Sequence, residues 1–84
     1  MNRTKRIQDI IEKNFNEFSI SVTDDSLAHI GHNNFDGNEE THIIIELKKK
    51  FNLDIKRLEI HKKINSLLSE EFKTGLHALQ IKIT

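Results

Sequence analysis

The sequence predicts a small α+β fold, with a mixed three-stranded sheet and helices packed on one of its faces. Three observations support this prediction. Apolar residues recur at helical spacing near the amino terminus and again in the second half of the chain. Three short segments alternate between apolar and polar residues, as strands do. A helical segment separates the second strand from the third, and such a crossover normally joins parallel strands.

The first predicted element is a helix that begins near Thr4, whose hydroxyl group can cap it. Ile7, Ile10, Ile11 and Phe15 then form one apolar stripe at helical spacing. The asparagines around the end of this stripe terminate the helix.

Two strands follow the first helix. Phe18, Ile20 and Val22 alternate with hydroxyl-bearing residues, which is typical of a half-buried strand, and residues 41–48 repeat the alternation. We expect these strands to pair antiparallel. The loop between them, residues 25–40, has 16 residues, whereas hairpin loops usually have about 2–5. So long a loop is more often functional or mobile than structural.

A helical region and a third strand complete the chain. Asp54 is a good N-cap for the helical region, and Thr74 with Gly75 is suited to end it. Its apolar stripe consists of Leu58, Ile60, Ile64, Leu67, Leu68 and Phe72. The element order is therefore α-β-β-α(-α)-β in a single domain of residues 1–84. The predicted core is Ile7, Ile10, Ile11, Ile20, Val22, Ile43, Ile45, Ile64, Leu68, Leu79 and Ile81.

Composition restricts the chemistry that this chain can perform. It has no cysteine, so any metal ligand that it supplies must be a histidine or a carboxylate. Its 13 basic and 13 acidic residues cancel, which argues against a strong and uniform nucleic-acid footprint. No segment has the apolar length of a membrane span or of a signal-peptide core, so we expect a soluble cytoplasmic protein without membrane partners.

The histidines are the candidate metal ligands. His42 lies within a strand and His61 lies beside a helical stripe, and both positions favour structural or surface roles. His32, in the loop, is most simply a solvated residue. His29, in the same loop, and His77, at the start of the third strand, could reach the same end of the sheet.

Enzymatic constellations are poor in this sequence. It has no nucleophile elbow and no glycine-rich phosphate loop. Neighbouring acidic residues such as Glu70 and Glu71 point apart on a helix, so we expect them on solvated faces rather than in an acid/base pair. We therefore expect a protein that is not an enzyme.

Five segments carry a resemblance to a known family. They are VTDDSLAHIGH (residues 22–32), ETHIIIEL (residues 40–47), Phe51, HKKINSLLSEEF (residues 61–72) and GLHALQIKI (residues 75–83). Their order and spacing together are specific, and over nearly its whole length the chain resembles the BolA-like family. The resemblance implies a fold like the class II KH domain, in agreement with the element order.

The resemblance also implies a function. BolA-like proteins partner monothiol glutaredoxins and share a [2Fe-2S] cluster with them. The family's loop ligand, a histidine or cysteine three residues after a serine, corresponds to His29, with His32 as the rival position. The second ligand, the histidine of a terminal H-A-L, corresponds to His77. The glutaredoxin supplies a cysteine and a bound glutathione thiol, and the isolated chain is not expected to hold a cluster tightly.

Nucleic-acid binding in transcriptional control is the alternative function that the resemblance implies. It would use a KH-like basic face formed by Lys48, Lys49, Lys50, Lys56, Arg57, Lys62 and Lys63. KH domains bind single strands with a G-x-x-G loop, and no G-x-x-G occurs in this sequence. The first arginine of the family's R-H-R is replaced by Ile60, and its glycine after the phenylalanine by Leu53. These departures weaken the case for nucleic-acid binding more than the case for cluster sharing. A homodimer of the free protein is a further partner that the sequence neither requires nor excludes.

Overall fold

The computed structural model describes residues 2–25, 41–52 and 54–84. Its elements follow the predicted order: α1 (Arg3–Asn14), β1 (Phe18–Asp24), β2 (His42–Lys49), α2 (Arg57–Leu67), α3 (Ser69–Lys73) and β3 (Ala78–Ile83). Within the described ranges, no helix is both long enough and apolar enough to cross a membrane.

The three strands form one mixed sheet in the order β1-β2-β3. β1 pairs antiparallel with β2, so that Val22 lies opposite Ile45, and β2 pairs parallel with β3, so that Ile45 lies opposite Ile81. The α2–α3 segment joins the two parallel strands, as the crossover rule predicts. The mixed topology predicted from the sequence is confirmed.

The helices cover one face of this sheet. Side chains alternate along a strand, and the alternate residues Ile43, Ile45 and Leu47 of β2 are fully buried. They join Ile7 and other helical residues in one apolar cluster. Every residue of the predicted core belongs to this cluster or packs against it, and the cluster also contains Phe15, Phe18, Leu47, Leu76 and Ile83.

The predicted N-cap residue is wrong for both helices. α1 begins one residue before Thr4, because the Asn2 side chain accepts the N–H of Lys5 at 2.8 Å and caps the helix. α2 begins at Arg57, after Lys56 in an extended conformation, and not at Asp54. The extended approach lets Ile55 pack against the core.

The predicted helical region is broken at Leu68, which ends α2 and precedes α3. Its apolar stripe is also wrong at both ends, because Leu58 is 67% exposed and Phe72 is 37% exposed. In the last turn the inward position belongs to Glu71, which is only 7% exposed. Gly75 ends the region with a φ of 126°, a conformation that favours glycine.

Glu71 is a structural ion-pair residue, so the expectation that it lies on a solvated face is wrong. One of its carboxylate oxygens accepts the Arg3 Nε–H at 2.9 Å, and the other accepts the Arg6 Nε–H at 3.0 Å. The hydrogen bond from Arg6, together with that from Arg3, lowers the pKa of the Glu71 carboxyl against the opposing effect of burial. This cluster fixes α1 to α3.

Candidate metal centre

His77 lies immediately before β3, and Thr41 holds its backbone. The carbonyl oxygen of Thr41 accepts the N–H of His77 at 2.8 Å and the N–H of Ala78 at 3.0 Å. The residue itself is exposed. A rigid backbone and an accessible imidazole ring are what a metal ligand shared with a second protein requires.

His42 is an aromatic neighbour of His77. Their ring centroids are 5.4 Å apart, with an angle of 58° between the ring planes. The hydroxyl oxygen of Thr41 lies 2.9 Å from Nδ1 of His42. Thr41 is buried, and it thus holds the ring of His42 through its side chain and the backbone of His77 through its carbonyl group.

The sequence interpretation assigned His42 a structural or surface role and did not place it beside His77. One signal was present, since both histidines lie at the amino ends of strands that a helical crossover should make parallel. Parallel strands begin at the same end of a sheet. The pairing of His42 with Ala78 in the observed register follows that rule.

The chain leaves β1 and returns to β2 at this same end of the sheet. The N–H of Asp25 donates to the carbonyl oxygen of His42 at 2.7 Å, and Thr41 directly precedes β2. These two residues flank positions 26–40, so both candidate loop ligands, His29 and His32, lie outside the described residues. His61 lies in α2 and not in a strand.

Imidazole nitrogen is a ligand for iron, zinc and copper. In the part of the chain that the structure describes, no three histidine or acidic side chains form a group that could hold a metal ion. His77 offers one accessible imidazole at the strand ends.

The seven basic residues of the alternative site do not all share one face. Lys48 and Lys49 are consecutive in β2, and consecutive strand residues point to opposite sides of a sheet. Arg57 donates from Nη1 to the carbonyl oxygen of Ile83 at 2.9 Å. The ammonium group of Lys63 lies 5.2 Å from the centre of the Phe15 ring. Lys50, Lys56 and Lys62 are exposed.

A protein-family model described as BolA-like protein matches residues 11–84. The chain belongs to the BolA-like family. The match begins within α1 and includes all three strands, and with them Thr41, His42 and His77. The resemblance inferred from the sequence motifs is therefore confirmed.

Individual relatives agree with this assignment. The BolA-like chain is 32% identical over 82 residues to Protein BOLA1, chloroplastic, of Arabidopsis thaliana, a match that covers 95% of this chain and 51% of that protein. The chain thus spans about half the length of that relative. It is 31% identical over 83 residues to an uncharacterized protein in the cobS 5' region of a Sinorhizobium species, covering 98% of this chain and 89% of that protein.

Solved structures of BolA domains share the fold. The BolA domain of SufE1 from Arabidopsis thaliana superposes with a TM-score of 0.78 at 31% identity, covering all of this chain and 92% of that one. BolA1 from the same plant gives a TM-score of 0.77 at 30% identity, with the same coverage. The predicted α+β fold class is confirmed by both.

Proposed function

We propose that this BolA-like protein is a non-enzymatic adaptor that partners a monothiol glutaredoxin and co-ligates a [2Fe-2S] cluster in iron–sulfur trafficking or iron regulation. The observation that carries the proposal is the position of His77. Its backbone is fixed by Thr41 and its ring is exposed at the end of the sheet. A cluster shared between two chains must lie at their interface, so an accessible ligand on rigid backbone suits it.

His77 supplies one ligand from this chain and His29 supplies the other, with His32 as the alternative. The partner provides a cysteine and a bound glutathione thiol. His29 follows Asp25 by four residues, a length of chain that spans at most about 14 Å. The backbone N–H of Asp25 is hydrogen-bonded to the backbone of His42 at the strand ends. The four residues from Asp25 to His29 are therefore long enough for a ligand in this part of the loop to reach that end of the sheet.

The donor set is chemically suited to the cluster. Histidine ligands can replace two thiolates on one iron of a [2Fe-2S] centre, and the reduction potential rises when they do. A chain without cysteine can therefore contribute two of the four ligands of the cluster. In this proposal the chain binds, orients and releases a cluster, and it carries out no bond-making step of its own.

Co-expression with a monothiol glutaredoxin tests the proposal. We expect a one-to-one complex whose visible absorption and circular dichroism differ from those of the cluster-bound glutaredoxin alone. A complex that forms without any change in the cluster spectrum, or a glutaredoxin that does not bind, would remove cluster sharing as the function.

The loop ligand is decided by paired substitutions in the same complex. We expect His29→Ala to abolish the altered spectrum and His32→Ala to leave it. His29→Cys should retain the cluster and lower its reduction potential, because thiolate replaces imidazole. The opposite result for the two alanine variants would assign the ligand to His32.

A further inference from the structure

β1 is an edge strand, and its outer edge is regular. It pairs with β2 without interruption from Phe18 to Asp24 and stands first in the sheet order β1-β2-β3, so no strand of the described residues lies on its other side. An unprotected edge is a template for pairing with another chain. Natural edges are usually blocked by charged residues, proline or a bulge. Residues 18–23 contain none of these, and Asp24 at the end of the strand is the one charged residue of β1.

The hydrogen bonds at the two ends of the β1–β2 ladder show which backbone groups face outward. The N–H of Asp25 donates to the carbonyl oxygen of His42 at 2.7 Å, and the N–H of Lys50 donates to that of Glu17 at 3.1 Å. Residues in an antiparallel ladder alternate between bonding the neighbour and pointing away from it. The odd-numbered residues of β1 therefore bond β2, and the even-numbered residues direct their N–H and C=O groups to the outer edge.

Ile20 and Val22 are the even-numbered residues at the middle of this edge. Within the described part of the chain, neither has a backbone hydrogen-bond partner outside the β1–β2 ladder. The outward N–H of Phe18, in contrast, donates a hydrogen bond to the carbonyl oxygen of Phe15 at 3.1 Å. Two donors and two acceptors are thus presented side by side along the edge.

We propose that this edge pairs antiparallel with the same edge of a second copy, across a two-fold axis at Ser21, to form a six-stranded sheet. Ser21 is the midpoint of Phe18–Asp24, so this register overlaps the whole strand. It places Ile20 opposite Val22 of the second copy. Both of these residues are even-numbered, so their outward groups meet, and the two symmetric pairs form four backbone hydrogen bonds.

The central side chains of the strand, residues 19–23, are self-complementary in this register, whereas Phe18 lies opposite Asp24 at each end of the overlap. The half-buried Ile20 and Val22 meet across the axis on the helix-covered face, and branched apolar pairs of this kind stabilise neighbouring strands. On the open face, Ser19 meets Thr23 and Ser21 meets itself, so small hydroxyl groups face one another. An isologous contact of this kind closes on itself and produces a dimer and not a filament.

The opposite edge of the sheet is less suited to this role. β3 carries Lys82, and Arg57 covers the carbonyl oxygen at its end by donating to Ile83. His77 lies beside that edge, two strands away from β1. The homodimer therefore leaves His77 accessible, and the inference is independent of the proposed cluster function.

Cysteine cross-linking tests the position of the axis, because the natural chain contains no cysteine. At the proposed axis, Ser21 forms a pair that is not hydrogen-bonded across the interface, with Cα atoms about 4.5 Å apart. That separation lies within the range of a disulfide bond. We expect Ser21→Cys to form a covalent dimer under mild oxidation at protein concentrations where Ser19→Cys, the matched control on the same face, does not.

Charge reversal tests the same axis without a covalent bond. Ser21→Glu and Ser21→Lys each place like charges opposite one another, which should weaken the dimer roughly fivefold, equivalent to about 1 kcal/mol. Sedimentation of an equimolar mixture of the two variants should recover the dimer. Ser21 also lies opposite Glu46 of the same chain, so a charge at position 21 can change the stability of the monomer, and the melting temperature of each variant is measured as a control. A change in monomer stability cannot explain recovery of the dimer when the two variants are mixed.

Strand pairing alone buries less area than a standard interface of about 1,600 Å², so we expect self-association to depend on concentration. Faster cross-linking of Ser21→Cys and recovery on mixing are the expected results. Equal cross-linking of Ser21→Cys and Ser19→Cys, at the rate of the exposed helical control Ser66→Cys, would overturn the proposal. A sedimentation profile that stays monomeric up to millimolar concentration would overturn it as well.

Discussion

The carbonyl oxygen of Thr41 accepts the backbone N–H of His77 at 2.8 Å. This bond joins the residue before β2 to the residue before β3 and sets where the third strand begins. The position of the candidate ligand therefore depends on the backbone of Thr41, while the Thr41 hydroxyl group acts on His42.

The proximity of the two histidine rings gives a prediction for the free protein. Removing the ring in His42→Ala should shift the proton resonances of the His77 ring, because an aromatic ring at 5.4 Å changes the local magnetic field. His61→Ala is the matched control and should leave those resonances in place. NMR spectra of the imidazole protons measure both effects. An unchanged His77 spectrum in His42→Ala would contradict the arrangement of the strand ends.

The ion pairs of Glu71 predict a loss of stability in Glu71→Gln. The substitution keeps the shape of the side chain but removes the charge that Arg3 and Arg6 bind. We expect a cost of about 1–3 kcal/mol, and each kcal/mol should lower the melting temperature by about 4–8 °C. Glu70→Gln is the control, since the exposed Glu70 forms a surface ion pair with Lys73, and it should change stability by no more than about 0.5 kcal/mol.

The same carboxylate predicts how stability depends on pH. Because the pKa of Glu71 is lower in the folded chain than in the unfolded chain, its contribution is fully present above the unfolded value of about 4.3. The contribution is lost as the pH falls through the folded pKa. The stability difference between the natural chain and Glu71→Gln should therefore narrow below about pH 4. A difference that stays constant down to pH 2 would show that the carboxylate does not carry it.

The buried face of β2 predicts a large effect of Ile45→Ala. Ile45 is fully buried, and truncating such a residue costs about 2–5 kcal/mol. Leu58→Ala is the control, because Leu58 is 67% exposed and should cost less than about 0.5 kcal/mol. Chemical denaturation measures both, and a single transition is expected if the chain unfolds as one domain. Equal effects would mean that the inward faces of β2 and α2 have been misassigned.

Nucleic-acid binding should be weak and dependent on salt. Lys48 and Lys49 point to opposite faces of the sheet, and Arg57 and Lys63 already make contacts within the chain. Each phosphate contact that is lost should reduce the slope of log affinity against log salt by about one. Tight, sequence-selective binding at physiological salt that survives the double substitution Lys62→Ala with Lys63→Ala would contradict this expectation.

The element order could be predicted from the sequence because each element carries its own local signal. Alternation identified the strands, helical spacing identified the helices, and the crossover indicated that β3 lies parallel to one of the other two strands, which the structure shows to be β2. A continuous helix would place Ile64 and Leu68 on its inward side, and the observed pair of helices also buries both residues. Spacing alone therefore could not reveal the break at Leu68.

Long-range contacts were beyond prediction from local patterns. Glu71 is 68 residues from Arg3 and 65 residues from Arg6 in the sequence, and no periodicity shows that its carboxylate turns inward to meet them. The candidate site was predictable in part, because family motifs identified His77. The ring of His42 could be placed beside it only once the register of β2 and β3 was known.

The most direct test of cluster sharing is the spectrum of the glutaredoxin complex with His77→Ala. Visible circular dichroism and electron paramagnetic resonance of the reduced complex report whether imidazole nitrogen is bound to iron. We expect His77→Ala to lose either the nitrogen coupling of one imidazole or the cluster itself, because His29 is then the one ligand left from this chain, and we expect His61→Ala to keep the full signal. Both variants should retain the melting temperature of the free protein to within about 4–8 °C, the equivalent of 1 kcal/mol. A nitrogen-ligated signal that is unchanged in His77→Ala would contradict the account, because the exposed imidazole fixed by Thr41 would then not be the ligand.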